Sequence, residues 1–404
     1  MSTHQLQVDP FASKIPEPAW GPTAPRLRVL TLTPFYPSAE DSAQGCFIAE
    51  PLRSAERFGI TNEVIAAQPF YRGRPHRLDS ETSLSWTTYF SMPGILGLPT
   101  AGEFLARRVT RAVRKLHDVR PFDLIHAHAA LPCGRAAALL GKHLSIPFVV
   151  SVHGLDAFST RQARGAVGTW CRRVSQHVYG AARVVICISE KVRQQVAHVL
   201  PANTVVVHNG VDPEMFAPGP EATLPLVVLS VGNLIPTKDH ALLLRAFAPL
   251  ARSNSRVVLE IIGDGPERVN LVRLATDLGI AGQVRFLGRQ SREDVAGAMR
   301  RCAVFALPSR YEGLGCVYLE AMACGKPAIG CQGQGIDEII EHGKSGLLIS
   351  PGNEAELRDW LIMLLHNQDL RYRLGAAARD QILQRHTLDH QAERLAEIYR
   401  KCVQ

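Results

Sequence analysis

The stretch Glu312-Gly-Leu-Gly-Cys-Val-Tyr-Leu-Glu320 decides how this chain is read. Two carboxylates stand at its ends, with glycines after the first and an apolar run leading to the second. Ala321-Met-Ala-Cys-Gly-Lys-Pro-Ala-Ile-Gly330 follows and reads as a helix end, a glycine stop and a buried strand. Were both acids helical, they would lie ~80° apart in rotation and ~12 Å apart along the axis. They are therefore not an acid/base dyad. The pattern gives Glu312 to a loop and Glu320 to a helix, so that the two grip different parts of one elongated ligand.

Outward from that block the chain repeats one unit: a short apolar run, a turn, then a helical period. Residues 27–33, 124–128, 147–153, 182–188 and 204–208 read as strands of a first series. Residues 226–231, 256–262, 283–287, 303–307 and 327–331 form a second series, and helices near 354–367, 371–384 and 388–401 close the chain. Continuous apolar strands alternating with helices predict an α/β fold with parallel sheets covered on both faces. Pro213, Pro218, Pro220 and Pro225 mark 212–225 as a linker, and proline-rich residues 1–25 read as a loose tail. Two open sheets in sequence offer a cleft where the carboxyl ends of their strands face each other.

At 404 residues the chain is too long for one core, which agrees with two domains. No apolar run is long enough to span a bilayer, and the start lacks the pattern of a secretion signal. Nine cysteines without a C-x-x-C pair point to a reducing compartment. A cytoplasmic protein is expected. The net charge of +8 is concentrated before residue 221, which favours an acidic partner for the first half.

Val231-Gly-Asn-Leu-Ile-Pro-Thr-Lys238 follows the first strand of the second series and precedes a helix. Backbone N–H groups and a helix start there suit a phosphate, and a lysine at a helix start suits an anionic ligand. Ile261-Ile-Gly-Asp-Gly-Pro266 reads as a mainly structural turn, and Arg268 breaks the dinucleotide fingerprint. His153, in Ser151-Val-His-Gly-Leu-Asp156, stands at a strand's carboxyl end beside a glycine, a position that serves a cleft. His126 and His128 alternate on one strand and read as strand-end packing, with no third metal ligand. Two segments keep two readings each. The basic helix Ala106–Leu116, with the segment Arg161 to Arg173 around Trp170, is a solvated face or a membrane-docking surface. The apolar loop Ser91–Pro99 lines an acceptor site or is core.

The block Leu307 to Pro327 resembles the E-x7-E signature of retaining glycosyltransferases of glycosyltransferase family 4, and the likeness runs over about residues 26–401. It implies the GT-B arrangement, two Rossmann-like domains facing across a cleft. Residues 26–212 would form an acceptor-binding domain and 213–387 a nucleotide-sugar-binding domain, with a helix near 388–401 crossing back onto the first. It also implies transfer of a sugar from a nucleotide-diphosphate donor to an acceptor hydroxyl, with no metal or other cofactor.

Among the catalytic positions, Lys238 would neutralise the departing diphosphate, Glu312 would orient the sugar and His153 would approach donor and acceptor. Glu320 would take the ribose hydroxyls. The amides of Gly313, Leu314, Gly315 and Cys316 would hold sugar and phosphate oxygens. Gly288 and Arg289 would meet the base, and Gly45 would let backbone approach the sugar. Asn233 stands where the family more often has arginine. The expected acceptor is a lipid-linked sugar or oligosaccharide in bacterial cell-surface glycan synthesis, with an anionic membrane surface as a further partner and no nucleic acid. A GT-B epimerase or phosphorylase and a non-enzymatic polyanion- or membrane-binding protein are the alternatives.

Overall fold

The structure, a computed structural model, describes residues 26–39, 41–73, 83–154, 165–197, 203–219 and 225–404. The tail 1–25, Asp156, Arg161, Arg164 and part of the linker lie outside them.

Seven strands build a first sheet: β1 (Leu27–Thr33), β2 (Ile60–Pro69), β3 (Leu84–Tyr89), β4 (Leu124–His128), β5 (Phe148–Val152), β6 (Val184–Cys187) and β7 (Thr204–Val206). Their order is β3-β2-β1-β4-β5-β6-β7. Six more build a second: β8 (Leu226–Val231), β9 (Val257–Ile262), β10 (Val284–Gly288), β11 (Val304–Ala306), β12 (Ala328–Cys331) and β13 (Leu347–Ile349), ordered β10-β9-β8-β11-β12-β13. All the ladders are parallel. The protein is thus an α/β chain of two parallel-sheet domains, as expected.

The interior strands β4, β5 and β12 are buried at every position, and apart from the buried His126, His128 and Ser151 they are apolar, as strands covered on both faces are. Strands β2, β3 and β13 escape that reading. In β2, Thr61, Asn62 and Glu63 interrupt the apolar run. The edge strand β3 alternates polar residues with its buried Leu84 and Trp86, and β13 has only three residues.

Helix Leu98–Val119 turns Leu105, Val109 and Val113 into the first core, a spacing of four that keeps one face inward. The last helix, Leu388–Val403, packs not on the second sheet but beneath the first. Leu395, Ile398, Tyr399 and Cys402 share a cluster with Leu27, Val29, Leu124 and Val149. Each such buried Leu or Ile contributes ~1.5–3 kcal/mol to that docking. Ser54 and Arg57 of the first domain both bond Asp389 at the start of this helix.

Candidate active site

The carboxyl ends of both sheets meet, and the Glu312–Glu320 block lies at that junction. Gly315 takes φ +86°, a left-handed turn that suits glycine, and starts helix Cys316–Ala323. Glu312 precedes the turn and Glu320 lies within the helix, as the spacing predicts. Glu312 is 9% and Glu320 2% exposed. Gly335, from the segment after β12, packs onto the turn so closely that a Cβ there would stand 1.8 Å from the carbonyl oxygen of Gly313. The side chain of Gln334 accepts the amide of Glu312 at 3.1 Å.

Lys238 reaches the same point from the loop after β8. Its Nζ lies 2.5 Å from Oε2 of Glu312. The turn Pro236–Lys238 ends at Asp239, whose φ of +50° redirects the chain into helix His240–Ser253. The amide of Arg310 donates to the carbonyl of Thr237 at 2.8 Å, tying the Lys238 loop to the Glu312 loop. The glycines of the Gly263-Asp-Gly turn pack against the backbone of the Lys238 loop. A Cβ on Gly263 would lie 2.0 Å from the carbonyl of Gly232, and one on Gly265 2.4 Å from that of Leu234. Asn233 sits exposed on this loop. Gly288 ends β10 with φ +70°, and Arg289 beside it is turned across the cleft onto Asp41 at 2.5 Å.

Glu320 is already engaged. Arg292, at the start of helix Arg292–Arg301, donates Nη1 to Oε1 of Glu320 and pairs with Glu50 of helix Cys46–Ser54 in the first domain. Oε2 of Glu320 is buried and has no hydrogen-bond partner among the described residues. Burial pushes the Glu50 carboxyl above its ordinary value, against the pull of Arg292.

The first domain brings His153 and two neighbours. Nε2 of His153 and Nδ1 of His128 share a hydrogen bond of 2.9 Å. His126 bonds Ser151 at 2.7 Å and the Tyr399 hydroxyl at 2.6 Å. Burial lowers His126 to about 3 and His153 to about 4, and holds His128 well below its usual value. All three rings are neutral near pH 7. His126 and His128 are therefore packed and hydrogen-bonded at the strand end, as read. Gly45 has φ +76°, and a Cβ there would press within 2.6 Å of Phe35 and Tyr36 backbone.

Glycines also let the two domains touch. A Cβ on Gly154 would lie 2.9 Å from the Tyr311 hydroxyl, and one on Gly313 3.0 Å from the His153 carbonyl. Ser189 donates to the Gly313 carbonyl at 2.6 Å. Glu338 accepts the amides of Glu190 and Lys191, both at 2.8 Å, across the same seam. Burial opposes its ionisation, but those bonds and His208 outweigh it and hold the carboxyl below the usual range. The structure thus gathers Lys238, Glu312, Gly313, Leu314, Gly315, Cys316, Glu320 and His153 along one seam. Sequence reasoning missed Arg292, Glu50, Ser189 and Glu338. Only Arg292 carried a local sign, a cation in the first turn of a helix.

Two family models match in succession: "Glycosyltransferase Family 4" over residues 53–215 and "Glycosyl transferases group 1" over 211–381. An uncharacterized glycosyltransferase of Methanocaldococcus jannaschii is 31% identical over 64% of this chain and 70% of its own. The chain belongs to the group 1 glycosyltransferases of family 4. This glycosyltransferase is also 29% identical to a D-inositol 3-phosphate glycosyltransferase of Nocardioides over 73% of the chain and 70% of the relative. The sucrose-phosphate synthase of Thermosynechococcus elongatus superposes with a TM-score of 0.74 at 18% identity, over 93% of this chain and 99% of that one. HepE of Anabaena, solved in complex with UDP, gives 0.72 at 21% identity over 93% and 100%. These likenesses establish the GT-B fold of the glycosyltransferase, and family membership sets aside the binding-protein reading.

Proposed function

We propose that this glycosyltransferase moves a sugar, with retention of anomeric configuration, from a nucleoside-diphosphate donor to a hydroxyl of a lipid-linked or oligosaccharide acceptor. The observation that carries this reading is the seam itself. A lysine, two buried acids and a helix start converge at the carboxyl ends of two facing sheets. In this reading the second domain, about residues 213–387, holds the donor and residues 26–212 hold the acceptor. Oε2 of Glu320 takes a ribose hydroxyl. Lys238 leaves Glu312 for the departing diphosphate, and freed Glu312 accepts hydroxyls of the sugar. Amides of Gly313 to Cys316 add their dipoles at the helix start. Lys238 and that helix start supply the positive field, so the reading asks for no metal. Gly288 and Arg289 offer backbone groups to the base.

His153 is neutral and touches Phe47 and His128, a position from which it contacts donor sugar and acceptor rather than holding charge. The reading assigns no side chain as a covalent nucleophile, and same-face attack across an ion-pair-like state fits retention. Closure of the seam would keep water from the donor.

The acceptor side of the first domain carries an exposed apolar rim, and this supports a membrane-borne acceptor. Phe70, Phe90, Met92, Ile95 and Leu96 are all about half exposed. Phe70 and Phe90 stack at 5.7 Å, and Phe104 meets Phe90 edge-on. Residues 92–96 of the apolar loop are thus surface, not core. Phe104, Arg108, Arg111 and Lys115 follow on one helix face, and Arg107, Arg108, Arg111 and Lys115 have no ion pair among the described residues. Apolar insertion flanked by cations suits the anionic inner face of a plasma membrane, with the protein peripheral there. No helix among the described residues is long and apolar enough to cross a membrane. A role in cell-surface glycan synthesis follows from such an acceptor.

The test is release of nucleoside diphosphate from UDP-, GDP- and ADP-sugars with and without a lipid-linked acceptor. Acceptor-dependent release supports transfer. Acceptor-independent isomerisation points to an epimerase, and dependence on inorganic phosphate to a phosphorylase.

A further inference from the structure

Arg292 has no role in the reaction as drawn above, yet its charge is enclosed. Its side chain is 11% exposed and touches carboxylates from both domains. Nε and Nη2 meet Glu50 at 3.1, 2.9 and 3.0 Å, a two-pronged pair, while Nη1 holds Oε1 of Glu320. The guanidinium also lies 4.8 Å from the ring of Phe216, in the segment joining the two sheets. One planar group therefore contacts the first domain, the second domain and their junction. Its place in the first turn of its own helix works against that helix's dipole, so helix stability does not account for it.

Two carboxyl groups share one guanidinium in a buried place. Among the described residues Oε2 of Glu320 has no donor, which costs more than an ordinary missing bond. A neutral hydroxyl satisfies it without adding charge, whereas a phosphate would be repelled. The planar fork of arginine holds Glu50 on two prongs and Glu320 on a third N–H in one fixed geometry, which the single ammonium of lysine does not reproduce.

We propose that Arg292 is a positioning residue coupling domain closure to recognition of the donor ribose. It fixes Oε1 of Glu320 so that Oε2 is presented to a ribose hydroxyl, and Glu50 fixes Arg292 from the opposite domain. Opening the seam removes Glu50, loosens Arg292 and lets Glu320 turn. By linkage, a ribose bound at Glu320 favours the closed seam to the same degree. This inference rests on the donor reading above.

The test measures Kd for UDP, GDP and ADP, and for the 2′-deoxy form of whichever binds. Wild type is compared with Glu50→Gln and Arg292→Lys. Wild type should favour the ribonucleotide by roughly 10-fold. Both variants should cut that ratio by roughly 5-fold while leaving affinity for inorganic pyrophosphate unchanged. Glu50 lies across the seam from Glu320, so a merely structural role for it would not move the ratio. If Glu50→Gln keeps the wild-type ratio, the coupling is overturned and the donor site stands. If wild type binds no nucleoside diphosphate, the donor reading fails and the coupling with it. Thermal melting identifies an Arg292→Lys protein that does not fold, and Glu50→Gln then carries the test alone.

Discussion

Nζ of Lys238 stands 2.5 Å from Oε2 of Glu312, and the two side chains are only 18% and 11% exposed. Each is the other's partner, so removing one leaves a largely enclosed charge unpaired. Lys238→Ala should lower turnover by roughly 10²–10³-fold through loss of charge stabilisation at the leaving diphosphate. The double variant Lys238→Ala/Glu312→Ala should cost much less than the sum of the single losses. Steady-state rates over the four proteins of this cycle check both statements, and strict additivity would show that the pair does not act together.

The seam should be intolerant of a single methyl group at Gly335. A Cβ there would lie 1.8 Å from the backbone carbonyl of Gly313, and the backbone can yield only by shifting the Glu312 loop. Gly335→Ala should cost about 1–3 kcal/mol of stability. It should also weaken nucleotide binding more than Gly333→Ala, where the same atom meets nothing within 4 Å. Gly333 takes φ +67°, so its own alanine carries a strain cost that melting will show. Calorimetry separates the binding effect from that cost.

Much of this was written in the chain, for reasons particular to each element. Strand β4 is legible at its observed bounds because Leu124, Ile125 and Ala127 form a short apolar run in which the only polar members, His126 and His128, are themselves buried. The assignment of Glu312 to a loop and Glu320 to a helix followed from glycines that only a tight turn needs. Strand β3 was missed because its Leu84-Ser-Trp86-Thr alternates buried and polar positions, as a sheet edge does, and a search for continuous apolar runs passes over it. The Arg292–Glu50 pair joins residues 242 positions apart, and no local spacing encodes it. The same holds for Glu338, whose acceptance of the Glu190 and Lys191 amides depends on how two separate sheets meet.

The histidine cluster sets a pH dependence of stability. His126 and His153 fall from 6.5 to about 3 and about 4 on burial, so the unfolded chain takes up protons first as pH drops. Their contribution is whole above about 6.5 and is lost progressively as pH falls towards about 4 and then about 3. The melting temperature should be level near pH 7 to 8 and decline below 6.5. His126→Gln should flatten that decline between 6.5 and 5. A melting profile of equal slope in wild type and variant would contradict this assignment.

The apolar rim should govern membrane affinity. Phe90→Ser with Leu96→Ser should reduce binding to vesicles containing phosphatidylglycerol by roughly 10-fold or more, since each buried large side chain contributes ~1.5–3 kcal/mol. Arg108→Ala with Arg111→Ala should weaken binding mainly at low salt. Sedimentation with vesicles at two salt concentrations reads both effects. Binding that survives loss of the aromatic rim would remove it from the docking surface, and concentration-dependent self-association through the rim would assign it to a second copy instead.

The most direct test is a calorimetric titration of UDP, GDP and ADP into wild type, Lys238→Ala and Glu320→Ala. The donor reading predicts that one nucleoside diphosphate binds wild type and that each variant weakens it by roughly 10-fold or more. Binding of equal strength in all three proteins, or no binding to any, would contradict a donor site built on Lys238 and Glu320.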